Sequence, residues 1–137
     1  MLGRHQGKRG SAAMEFALTF PLIMFIAVGI VEFGWCFHMS NQLNTAVRDA
    51  ARQGALVAGG VSATGGTAAA TELNNLLSNF YTHCASGGCS VTSVAEPDGV
   101  SDSFLLDVEV PYSSLTGIAF PGLPSSISAD IVFAIQP

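Results

Sequence analysis

The chain has 137 residues, a mean hydropathy of +0.45 and only 11% charged side chains, too apolar for an ordinary soluble domain and suited to one small domain plus a membrane anchor. Its formal net charge is −5, and three of its five basic residues (Arg4, Lys8, Arg9) fall within the first ten positions. Without those ten, two basic side chains face ten acidic ones, a formal charge of −8, which argues against a nucleic-acid partner because phosphate contacts need clustered Lys and Arg.

The first feature along the chain is the junction Lys8-Arg9-Gly10 followed by Ser11-Ala12-Ala13-Met14-Glu15-Phe16, after which the sequence turns apolar. A carboxylate set just inside a membrane helix costs roughly 2.5 to 3.5 kcal/mol on insertion scales, so Glu15 needs a partner. Cleavage after Gly10 would expose the Ser11 α-ammonium one helical turn away, on the same chain or on a neighbouring subunit. The competing reading is a carboxylate snorkelling to the cytoplasmic headgroups.

Phe16 to Val31 forms about 24 Å of helix, and counting on through Phe37 gives about 33 Å, enough for a hydrocarbon core of about 30 Å. Glu32 then lies near the exported end as an interfacial charge. Basic residues before the span and few after it predict a cytoplasmic N-terminus and an exported remainder. A secretory signal would have an apolar run of about 7 to 15 residues ending at a small-x-small site, whereas this run is longer, contains Glu15 and Pro21, and continues into helical sequence.

Residues 11–55 read as one transmembrane and extended N-terminal helix. Ala46, Ala50 and Gly54 repeat every four residues along one face, either as part of a solvated stalk or as a surface on which subunits pack. Residues 56–67, with Gly59-Gly60 and Gly65-Gly66, predict a flexible Gly-rich linker. It is no phosphate loop, because Lys8 is the only lysine in the chain.

Residues 68–137 read as an exported α+β head. Leu73, Leu76, Leu77, Phe80 and Cys84 have helical spacing, so residues 68–83 form an amphipathic helix. Phe104, Leu106, Val108, Val110 and Tyr112 alternate with more polar positions, as do Ile127, Ala129, Ile131, Phe133 and Ile135, and both runs predict half-buried strands. Ser90 to Ala95 is a weaker third strand. The expected fold is α+β, with a long membrane-spanning helix, a second helix and a small antiparallel sheet of about three strands.

Cys84 and Cys89 enclose Ala85-Ser86-Gly87-Gly88, a loop short and flexible enough to let the sulfurs meet in an oxidising compartment, so a disulfide is expected. His83 beside them permits only a weak zinc reading, with no fourth ligand at a recognisable spacing, and no metal or other cofactor is expected. The three histidines are dispersed and no serine sits in a nucleophile elbow, so an enzyme is not expected. Asp107 and Glu109 share a strand face of the kind that is usually solvated.

The junction at Gly10, with Glu15 as the fifth residue after it and Phe16 next, resembles a class III prepilin signal. Taken with Ala17-Leu18, Pro21, Glu32-Phe33-Gly34 and Ala50-Ala51-Arg52-Gln53-Gly54-Ala55, it resembles the TadE-like family, minor pilins or pseudopilins of the Flp/Tad tight-adherence pilus. The strong likeness covers about residues 9–55, and the rest resembles the family only in layout. The resemblance implies processing around Gly10, Ser11, Glu15 and Phe16 by a membrane-embedded aspartic prepilin peptidase. It also implies pilus assembly and cell adhesion from the bacterial inner membrane, among other pilin subunits, the assembly platform and membrane lipid, with Glu15 serving processing or subunit registration. Two other readings stay open: a single-pass membrane-anchored adhesive or sensory protein, and a secreted binding domain.

Overall fold

The computed structural model describes residues 6–81, 84, 87–97, 102–118 and 120–135, with backbone only for residues 6–10. Residues 1–5 of the expected leader, and His83, lie outside the described residues. Five elements follow in chain order: α1 (Gln6–Val57), α2 (Ser62–Phe80), β1 (Ser90–Ala95), β2 (Ser103–Pro111) and β3 (Ser126–Ala134).

Helix α1 passes through Pro21 without interruption and has two unlike halves. From Phe16 to Val31 its large apolar side chains are uncovered, with Leu18 76% and Ile30 68% exposed, and this is a helix long and apolar enough to cross a membrane. In hydrocarbon only a helix satisfies its own backbone groups along such a run. From Glu32 onward one face turns inward, and Met39, Leu43, Val47, Ala50 and Ala51 enter the core.

Gly59 and Gly60, with φ of 53° and 85°, supply the left-handed backbone that ends α1 and reverses the chain. Helix α2 then runs back antiparallel to α1, placing Gly65 and Ala69 against Gly54, and Tyr81 against Met39, to whose carbonyl the Tyr81 hydroxyl donates at 3.3 Å. The helix pair covers one face of a sheet in the order β1-β2-β3, both pairings antiparallel. Phe104, Leu106, Val108 and Val110 of β2 are buried, with Ile127 and Ala129 of β3 beside them. The α+β expectation and all three strands agree with this arrangement.

The linker is shorter than expected, because α2 begins at Ser62 instead of residue 68, and Gly65-Gly66 are helical. Glycine inside a helix costs roughly 1 kcal/mol relative to Ala, which is why the composition reads as loop. Close packing opposes that preference at Gly65, while Gly66 lies at ordinary contact distance from the sheet. A Cβ on Gly65 would meet the Ala58 Cβ at 3.0 Å, and one on Gly66 would meet the Phe104 Cβ at 3.5 Å. Phe80 departs from the expected apolar face and is 64% exposed, since Tyr81 closes that end of the helix pair in its place.

The expected disulfide joins Cys84 to Cys89 with Cα atoms 4.8 Å apart, tying the end of the helical layer to the start of β1. Chain-entropy reasoning for so small a loop gives roughly 2 kcal/mol. Replacing both cysteines by Ser is expected to lower the head's unfolding free energy by about that amount without unfolding it, as read in a urea titration. A chain that no longer folds would assign the bond a larger role.

Candidate functional site

Two carboxylates on α1 define the sites, and they differ in what surrounds them. Glu15 lies in the uncovered half, between Met14 and Phe16, which are 68% and 62% exposed. The Thr19 hydroxyl donates to the Glu15 backbone carbonyl at 3.0 Å, a local helix contact that leaves the carboxylate untouched. Among the described residues the Glu15 side chain has no hydrogen-bond or ionic partner. Gly10 and Ser11 continue the same helix, so Ser11 stands four residues before Glu15 on the same face. A new amine at Ser11 can therefore reach this carboxylate, or that of a neighbouring helix.

Glu32 is the opposite case, with none of its surface exposed. The β2–β3 loop wraps around it. One oxygen accepts from the Tyr112 hydroxyl at 2.9 Å and the Leu115 N–H at 3.2 Å; the other accepts from the Thr116 N–H at 2.6 Å and from the Thr116 hydroxyl. The Trp35 indole N–H, one turn along, donates to the Ser113 carbonyl at 3.2 Å. Below Glu32, the Phe120 ring packs 5.2 Å from that of Phe25 and lies over Gly29. An acceptor-only group thus meets four donors, and the arrangement fixes the head's height and rotation on the helix.

The sequence reading of Glu32 as an interfacial charge misses this role. Three of the four donors, Leu115 N–H and both Thr116 groups, come from a loop more than eighty residues away, and two are backbone N–H groups that no side-chain motif advertises. The one usable signal is a lone acid within an apolar helix beside Trp35. Glu32→Gln is expected to loosen the loop, because an amide puts an N–H pair where the site offers only donors. Amide hydrogen exchange should show faster exchange at Leu115 and Thr116; unchanged protection would mean that the carboxylate does not hold the loop.

Burial, reinforced by the hydrogen bond to Glu32 and that residue's charge, raises the Tyr112 hydroxyl from its ordinary 10 to about 12. The folded state holds this proton more tightly than the unfolded state. The resulting stability is fully present below about pH 10 and is lost as pH rises through about 12. Melting temperature should therefore fall between those values, and fall less in Tyr112→Phe. Burial raises Tyr81 in the same direction, so some decline persists in that variant. Equal slopes for both proteins would contradict the assignment to Tyr112.

Ala50 and Gly54 are buried within the chain, whereas Ala46 is only partly covered. Helix α2 of the same chain covers Ala50 and Gly54, while Ala46 is half-buried on the wall of a shallow groove with Asn41, Leu76 and Phe80. A small-residue strip permits close helix approach, and here the approaching helix is intramolecular. Asp107 and Glu109 are solvated on the outer strand face, as expected. Both thiols of the weak zinc reading are taken up by the disulfide, and among the described residues no three His, Cys, Asp or Glu side chains gather as a metal site. Cys36 is a free, half-buried thiol packed against the edge of the core.

No curated protein and no solved structure matches the chain. Residues 10–52, which run from the expected junction through Glu15, Glu32 and Ala50, match the family described as TadE-like protein, and the chain thus carries a TadE-like N-terminal segment.

Proposed function

We propose that this chain is a membrane-anchored, pilin-like structural component of tight-adherence pilus assembly, cut between Gly10 and Ser11 by a prepilin peptidase. The observation that carries the reading is the Glu15 carboxylate, the fifth residue after Gly10 in the TadE-like segment, on a helix half whose apolar surface is largely uncovered among the described residues. The uncut chain sits in the bacterial inner membrane with its basic end in the cytoplasm and its head exported. Cleavage frees the Ser11 amine, Glu15 neutralises it, and the uncovered helix exchanges lipid contact for contact with neighbouring pilin helices at the assembly platform. No step calls for a cofactor or for catalysis by this chain.

A photo-crosslinking residue at Leu18, which is 76% exposed, tests this in cells that make the pilus. The expected adducts are pilin-type subunits. Adducts with lipid alone, in cells that assemble pili, would favour a single-pass anchor outside the pilus apparatus.

A further inference from the structure

The β2–β3 loop, residues 112–125, carries no charged side chain, whereas each of the strands it joins carries at least one carboxylate. Two of its apolar side chains stand about half exposed: Leu115 at 56% and Ile118 at 49%. Its position along α1 is fixed by the Glu32 hydrogen bonds and by Phe120 against Phe25 and Gly29. Phe25 and Gly29 lie seven and three residues before Glu32, about 10 Å and about 5 Å along the helix axis. At that height α1 itself shows Ile26, Ile30 and Val31, all more than half exposed. Phe120 of the loop thus joins Phe25, Ile26, Gly29 and Ile30 in one apolar surface on the far side of Glu32 from the head, while Leu115 stands at the level of Glu32 and borders the groove beside Trp35 and Met39.

We infer that this loop is a second membrane contact, an apolar wedge that enters the outer leaflet beside α1, with lipid acyl chains as its occupant. The inference rests on the reading of α1 as a membrane span. The depth of about 5 to 10 Å is that at which interfacial apolar segments reside, and Trp35, directly above, suits the headgroup level. Glu32 fits the same boundary. A span of about 30 Å, a full hydrocarbon core, that begins at Ala12 ends just before Glu32. A carboxylate at that edge is shielded from lipid by four protein donors, and those donors hold the wedge in place. Where α1 alone would give the head a single pivot, the wedge gives it a second point of contact and a defined tilt.

The test uses the full chain with Cys36→Ala, reconstituted in phosphatidylcholine vesicles, with a nitroxide attached at Ile118→Cys and, in a second protein, at Leu115→Cys. Collision with oxygen, which concentrates in lipid, is compared with collision with a water-soluble nickel chelate. Leu22→Cys reports on the span and Val94→Cys on the solvated sheet. The loop positions are expected to show an oxygen preference severalfold above that at Val94 and of the same sign as at Leu22. Nickel preference in the loop with oxygen preference at Leu22 would overturn the wedge and leave the span intact. Low access to both reagents would mean that protein, such as a second copy, covers the loop, and would also overturn it. Nickel preference at Leu22 would remove the membrane reading itself.

Discussion

A Glu15→Ala chain is expected to be cut normally at Gly10–Ser11 and to fail in assembly. The side chain has no partner among the described residues, so its removal leaves the head and the helix pair as they are. In the proposed mechanism it removes the counter-charge for the Ser11 amine once that amine is drawn among apolar helices. An uncompensated charge there costs about 2.5 to 3.5 kcal/mol, on the order of a hundredfold in the assembled fraction. Comparing cell-associated with sheared, pilus-associated protein measures the effect, and mass analysis of the same samples separates cleavage from assembly. Normal incorporation of Glu15→Ala would remove Glu15 from the mechanism.

The second large effect belongs to Gly54. A Cβ there would lie 2.5 Å from the Gly65 carbonyl oxygen and 2.6 Å from the Ala69 Cβ, and the first of these is backbone, with no flexible end to swing aside. Gly54→Ala therefore has to push α1 and α2 apart. Overpacking of this kind costs roughly 1 to 3 kcal/mol, and the geometry argues for the upper end. In a head of this size that is roughly 10 to 20 °C of melting temperature. Gly34→Ala is the matched control, since a Cβ at Gly34 meets nothing within 4 Å and the helix gains propensity. An unchanged melt for Gly54→Ala would mean that the seam is looser than these distances.

Parts of the molecule governed by local pattern were legible in the sequence. The alternation of Phe104, Leu106, Val108 and Val110 identifies a half-buried strand whatever it pairs with, and the long apolar run of α1 identifies itself. Properties set by a distant partner were not. Gly65 and Gly66 read as linker because glycine is a poor helix former, and only the approach of α1 and Ala58 explains why Gly65 leaves little room for anything larger. The Ala46, Ala50, Gly54 strip correctly signals close helix packing but cannot say whether the other helix is in the same chain. The Cys84–Cys89 pair was readable because its loop is short. Glu32 was not, because its donors lie in a loop with no sequence signature of its own.

These sites divide α1 between two tasks. From Glu32 to Val57 the helix belongs to the head, locked by the carboxylate and by the glycine seam. From Ser11 to Val31 its surface remains available for lipid and, in the proposed mechanism, for other subunits. In the proposed mechanism removal of the leader is the step that brings Glu15 into assembly, because without a free Ser11 amine Glu15 has nothing to neutralise. Intact-mass measurement of the protein from cells with an active prepilin peptidase, beside cells lacking it, tests this most directly. The account predicts a chain beginning at Ser11 in the first and a chain retaining Met1-to-Gly10 sequence in the second; leader sequence retained in both would contradict it.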